Sequence, residues 1–364
     1  MPSYPRVAVG LVGAACLIPL ILPAGRAQDA GGNSEEVRRR LARWQSDQTL
    51  SPFTQGIPAP TNPGPVAGPV VGPSQFGTAR TKLAYSFGVN FVDPAAYGSE
   101  CRLGACVNDA RSMKALAEKL GFQAKIFENR EATSANLFAS IREAASRLQS
   151  GDVLIITYAG HGSTVRDENG DERGGKDQTW CLHDRMVIDD ELAQQWTAFR
   201  EGVKIYVVAD SCHSGTSVRA LARGLNPLTT SPGARALAGG AVAGDFRVRT
   251  ILGVEQERAE MLQLAANAPT WRAAPTSAAS GATIRASGLL LAGCDDEETS
   301  GERGQHGLFT NGLLQTVGDG QFTGTYRELI DRASRLVGDP NQHPKLFQFG
   351  AIVEDLATAR PFAH

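Results

Sequence analysis

Two short, largely apolar runs, residues 153–158 and 203–208, are each followed at once by a turn of small residues. A strand that is apolar at successive positions buries both of its faces. In water-soluble folds that calls for a mostly parallel sheet covered by helices on both sides. The first run leads into Ala159-Gly160-His161-Gly162-Ser163. The second leads into Ala209-Asp210-Ser211-Cys212-His213-Ser214-Gly215. Functional groups in such sheets gather at the carboxyl ends of strands. A cysteine at one strand tip and a histidine at another suit a nucleophile and its base, because a thiol near its free pKa is mostly protonated at neutral pH.

Strand and helix patterns alternate through the rest of the chain. Strand-like runs cover residues 83–92, 122–127, 153–159, 203–210 and 288–293. Helical spacing covers 106–120, 133–148, 189–199, 308–317 and 325–337. The fold class this predicts is α/β, with a mostly parallel central sheet and helices on both faces. Lys+Arg 36 against Asp+Glu 38 gives a net charge of -2, which argues against nucleic acid as a partner.

Residues 1–27 have the pattern of a secretory signal peptide: Arg6, an apolar stretch over 7–22 and Gly25-Arg26-Ala27 as a cleavage site. The apolar stretch is broken by Gly10, Gly13 and Pro19. It falls short of the ~20 residues that span a bilayer, so no stable membrane insertion is expected. The expected location is therefore exported, periplasmic or secreted. Residues 28–80 read as a short amphipathic helix, opened by Asn33 and Glu36, and a Pro/Gly-rich linker. The main domain is expected over 81–355, with a flexible insertion at about 216–287 and a tail at 356–364. Of the five cysteines beyond residue 27, Cys101 and Cys106 could pair or stay free, and an odd count leaves at least one thiol unpaired.

His161 lies 51 residues before Cys212, and caspases carry their histidine roughly 50 residues before their cysteine. Tyr158-Ala159-Gly160-His161-Gly162-Ser163 and Asp210-Ser211-Cys212-His213-Ser214-Gly215 resemble the two catalytic motifs of the metacaspases, in the caspase-like peptidase clan. The resemblance runs over about 82–346 apart from the insertion. It includes Cys294-Asp295-Asp296-Glu297-Glu298, Gly307-Leu308-Phe309-Thr310 and His343-Pro344-Lys345-Leu346. It implies a caspase-like fold and a cysteine endopeptidase with Cys212 as nucleophile and His161 as base. The backbone N–H groups of Gly162 and Cys212 would form the oxyanion hole. His213, next to Cys212 in sequence, is assigned a structural role.

In metacaspases the acids matching Asp109 and Asp210 line the pocket for the residue before the scissile bond. Two carboxylates in one pocket need a cation between them, so Arg or Lys is the expected residue. The alternative reading of Asp109 is an acid that favours a helix N-terminus. Where the family often has Ser, two residues before its histidine, this chain has Ala159. Calcium ligands of the family match Asp177, Asp189 and Asp190, carboxylates that suit a hard cation, but the fourth position is Arg219. Asp189 and Asp190 also read as acids that start a helix. No organic cofactor is implied. The expected partners are polypeptides with Arg or Lys before the scissile bond. Arg219, Arg223, Arg235, Arg247 and Arg249 in the insertion make self-processing an expectation too. The rival readings are a caspase-like scaffold that does not turn over, and a clan-related hydrolase with a different preference.

Overall fold

The computed structural model describes residues 80–167, 175–212, 246–251, 256, 259–260, 262–263, 283–295, 298–352 and 354–362. The expected signal peptide, N-terminal helix and linker, most of the insertion, His213, Arg219, Arg223 and Arg235 lie outside these residues.

Six strands build the central sheet: β1 (Lys82–Gly88), β2 (Gln123–Glu128), β3 (Val153–Ala159), β7 (Lys204–Asp210), β9 (Ser287–Ala292) and β12 (Lys345–Gly350). Their order is β12-β9-β7-β3-β1-β2. All neighbours are parallel except β12, which runs antiparallel to β9. The period of two along each strand explains the unbroken apolar runs. Leu154, Ile156, Ile205 and Val207 point into one core with Leu137, Ile141, Leu192 and Trp196. Val153, Ile155, Tyr206 and Val208 point into a second core with Met113, Leu116, Phe309, Leu313 and Ile330. Both faces are therefore dry, as a parallel sheet requires.

The second core is covered by α1 (Cys106–Lys119), α4 (Leu308–Val317) and α5 (Tyr326–Val337), the first by α2 (Ser134–Arg147) and α3 (Asp189–Trp196). Local chemistry sets several of the ends. The Thr133 side chain accepts from the Asn136 N–H at the start of α2. Thr325 and Glu328 form a capping box at the start of α5. Gly318 and Gly338 close α4 and α5 in the left-handed conformation.

The expected first strand is shorter than its apolar run. It ends at Gly88, where a β-carbon would come within 2.7 Å of the Cys106 carbonyl oxygen and 2.8 Å of the Ala110 β-carbon. The missing side chain lets the start of α1 pack directly on the strand tip. Two small sheets fall outside the expected strands. One is an antiparallel meander of β4 (Gly162–Arg166), β5 (Lys176–Cys181) and β6 (Met186–Ile188). The other joins β8 (Phe246–Val248), β10 (Gly301–Arg303) and β11 (His306–Gly307). β8 lies within the expected insertion, and its residues pair along the backbone of β10. Positions 256, 259, 260, 262 and 263 are helical.

Candidate active site

The tips of β3 and β7 are neighbours, with Ala159 opposite Asp210. His161 follows the first tip and Cys212 the second, and both are buried. The turn before His161 is braced by Tyr158, whose single hydroxyl proton is shared between the carbonyls of His161 (2.7 Å) and Cys181 (2.9 Å). His161 Nε2 lies 2.7 Å from the Cys101 carbonyl oxygen. A carbonyl can only accept, so Nε2 carries the proton and Nδ1 is left with its lone pair. Nδ1 is buried and has no hydrogen-bond partner.

The Cys212 thiol sits against Ser300. It receives the Ser300 N–H at 3.0 Å and lies 3.5 Å from the Ser300 carbonyl oxygen. Burial pushes the thiol well above its usual pKa. Burial also lowers His161 to about 4, and the nearby positive charge of Arg249 adds to the effect. In this arrangement the thiol and the imidazole are both neutral at pH 7.

The main departure from expectation is what lies across these two residues. The segment 246–251 runs over the strand tips in an extended conformation. The Gly162 N–H (3.0 Å) and the Cys212 N–H (3.3 Å) both donate to one oxygen, the carbonyl of Arg249. The Arg249 N–H donates to the Ser300 carbonyl (2.8 Å), and the Ile251 N–H to the Gly162 carbonyl (3.1 Å). Gly162 cannot carry a side chain here, because a β-carbon would collide with the Cys212 carbonyl.

The Arg249 side chain is fully buried. Its guanidinium contacts Asp109 (2.5 Å), Asp210 (3.3 Å) and Glu302 (3.3 Å), and donates to the Asp210 carbonyl at 3.0 Å. The carboxylates are in turn held by other donors. Asp109 takes the Gly307 N–H and His306 Nδ1 at 2.8 Å. Asp210 takes the Ser300 hydroxyl, the Thr310 hydroxyl and the Thr310 N–H. Glu302 takes the Gly104 and Ala105 N–H groups at the start of α1. The Asp109 hydrogen bond raises the pKa of His306. Asp109 does occupy the first turn of α1, but its carboxylate is aimed at the guanidinium.

The structure thus gathers Cys212, Gly162, Asp109 and Asp210 around Arg249, with His161 on the adjacent strand tip and its ring hydrogen-bonded to the Cys101 carbonyl rather than to the thiol. Glu302, and the part that Arg249 plays in the pocket, were not foreseen. Glu302 had no marker in the sequence, and Arg249 was one of five arginines in the insertion. Ala159 leaves the pocket without a hydroxyl at that position. Cys101 and Cys106 are not joined to each other, and the Cys101 sulfur lies 3.1 Å from the Ser99 hydroxyl. Cys106 instead lies 3.7 Å from Glu302.

Asp177, on β5, and Asp189 and Asp190, in the first turn of α3, are all buried. Among the described residues, however, no group of three or more His, Cys, Asp or Glu side chains is placed to hold a metal ion. As they stand, the two α3 acids fit the helix-start reading, beside Glu191, whose carboxylate pairs with Arg185 at 2.8 Å. Among the described residues no helix is long and apolar enough to cross a membrane.

A parallel α/β sheet with a cysteine and a histidine on adjacent strand tips, beside two convergent N–H donors, is the arrangement expected of the caspase-like class. The caspase-domain model of peptidase family C14 matches residues 81–351. The chain belongs to that family. It is 31% identical over 159 residues to metacaspase-3 of Arabidopsis thaliana, covering 40% of this chain and 42% of that protein. It is 34% identical over 133 residues to metacaspase-1 of the same plant, covering 32% and 36%. The chain therefore spans less than half the length of these relatives. A crystal structure of a protein from Geobacter sulfurreducens superposes with a TM-score of 0.62 at 32% identity, covering 78% of this chain and 98% of that one.

Proposed function

We propose that the protein is a cysteine endopeptidase of metacaspase type that cuts after Arg or Lys. Cys212 is the nucleophile and His161 the base. The observation that carries this reading is the seat of Arg249: side chain among three carboxylates, carbonyl oxygen on the N–H groups of Gly162 and Cys212. A substrate bound in the same way would present its carbonyl carbon to the thiol. His161 Nδ1, with its lone pair open, would take the thiol proton and pass it to the leaving amine. The negative charge that develops on the carbonyl oxygen would fall on the two N–H donors. Water, activated by the same imidazole, would then release the acid from the thioester.

The geometry makes the Arg249–Thr250 bond the proposed site of self-processing. Until it is cut, the segment competes with substrate. Arg/Lys, Asp and Asn peptide–coumarin substrates, tested on the full chain and on Cys212→Ala, address specificity. Release after Arg or Lys by the wild type alone supports the reading. Release after Asp or Asn points to a hydrolase of different preference. No turnover with any of them, with or without calcium, points to a scaffold. A fragment beginning at Thr250 in wild type but not in Cys212→Ala supports self-processing. Identical patterns in both remove it.

A calcium requirement would need Asp177, Asp189 and Asp190 to draw together around the ion, and the calcium titration of the same assay reads it directly. Export through residues 1–27 also belongs to the proposal. A secreted or periplasmic product whose N-terminus lies near residue 28 is the expected result.

A further inference from the structure

Beyond the seat of Arg249, the segment 246–251 makes a second ordered side-chain contact, at Phe246. β8 pairs antiparallel with β10 in a defined register: Val248 opposite Gly301, Arg247 opposite Glu302 and Phe246 opposite Arg303. If Arg249 marks the residue before the scissile bond, then β10 is the strand on which substrate backbone is laid. The burial along the segment is uneven. Val248 (37% exposed) and Arg247 face solvent, whereas Phe246 is half-buried. The Phe246 ring rests on the backbone of Gly301, where an added β-carbon would lie within the ring's own volume. The Arg303 guanidinium covers the ring, 5.8 Å from its centroid.

A glycine floor with a cation above it is a slot for a flat, electron-rich ring. A residue with any side chain at position 301 would fill it. We infer that Gly301 and Arg303 form an aromatic-binding subsite, and that the protein prefers substrates with Phe, Tyr or Trp three residues before the Arg or Lys. The position next to Arg or Lys is read loosely, because its side chain points to water. This inference rests on the proposed cleavage after Arg or Lys for its substrate meaning, but the slot itself can be tested without turnover.

The first measurement is hydrogen exchange of the Arg249 amide in the full-length Cys212→Ala protein. Removing the ring with Phe246→Ala, or filling the slot with Gly301→Val, should speed exchange at least about fivefold by loosening the segment. Val248→Ala should leave it within about twofold, since that side chain is exposed. Equal exchange in the Phe246 and Val248 variants would overturn the inference. The second measurement compares coumarin substrates Phe-Arg-Val-Arg and Ala-Arg-Val-Arg on the wild type. The expected kcat/KM ratio is at least about five in favour of Phe, carried mainly by KM and lost in Gly301→Val. Cleavage of both at equal rates would overturn the inference while leaving the peptidase reading intact. Cleavage of neither would sink the peptidase reading, and the exchange result would still decide whether the slot holds a ring.

Discussion

Replacing Arg249 by Gln tests the architecture of the pocket most directly. The substitution keeps much of the side-chain volume and removes the charge. Three buried carboxylates within 3.3 Å would lose their counter-ion. Breaking a buried ion pair from one side costs ~3–5 kcal/mol, because the remaining charge is stranded. Here the stranded groups keep other donors: Gly307 and His306 on Asp109, Ser300 and Thr310 on Asp210, Gly104 and Ala105 on Glu302. Release of the segment would also let water into the pocket. The loss should therefore lie at the lower end, ~3 kcal/mol, which for a domain of this size is about 6–12 °C in Tm. Differential scanning calorimetry on the Cys212→Ala background reads this without interference from cleavage. Arg249→Lys should recover part of the loss, since one ammonium keeps the charge but cannot match the planar fork. A Gln variant within about 2 °C of its parent would refute the claim that Arg249 is the counter-ion of this pocket.

The other expectations concern the thiol, the oxyanion donors and the framework. Burial holds the Cys212 thiol above its usual pKa, so with the segment in place it should be alkylated by iodoacetamide far more slowly than a free cysteine at about pH 8. Mass spectrometry should show faster modification after cutting at Arg249, and rapid modification of the uncut protein would contradict the closed arrangement. Gly162→Ala pushes a β-carbon into the Cys212 carbonyl and displaces an N–H donor. Steady-state kinetics should show kcat falling by about a hundredfold or more, and a near-normal kcat would disprove that donor's role. Thr325→Ala removes the capping box of α5 at a cost of about 1 kcal/mol, read as a lower Tm with activity retained.

Most of the central sheet could be read in the sequence because its signals are local. Residues 153–159 and 308–317 coincide with β3 and α4 to the residue. Buried strands announce themselves by uninterrupted apolar residues, and α5 carries its own capping box. The positions of His161 and Cys212 followed from the same logic, since both sit in small-residue turns at strand ends. The meander over 162–188 was missed because Gly162–Arg166 and Lys176–Cys181 mix polar and apolar residues that are nearly all buried. Hydrophobic alternation cannot register a strand whose polar groups are buried too. The pocket was half legible. Asp109 and Asp210 stood in recognisable motifs. Glu302 and Arg249 are joined to them only by contacts over long sequence separations, and no local pattern singles out Arg249 from the arginines around it.

The seam between β7 and β9 has a consequence for any molecule cut after Arg249. The two strands lie on opposite sides of that bond in sequence, yet they pair in register from Lys204–Ser287 to Ala209–Ala292. Severing the chain would leave the sheet continuous, with the two fragments clasped by backbone hydrogen bonds and by both cores. Such a nicked molecule would keep its form while losing its route back to it. Once melted, its halves would have to find each other again by diffusion, so a unimolecular refolding step would become a concentration-dependent one. A single hydrolysed bond would thus give the molecule a finite working life.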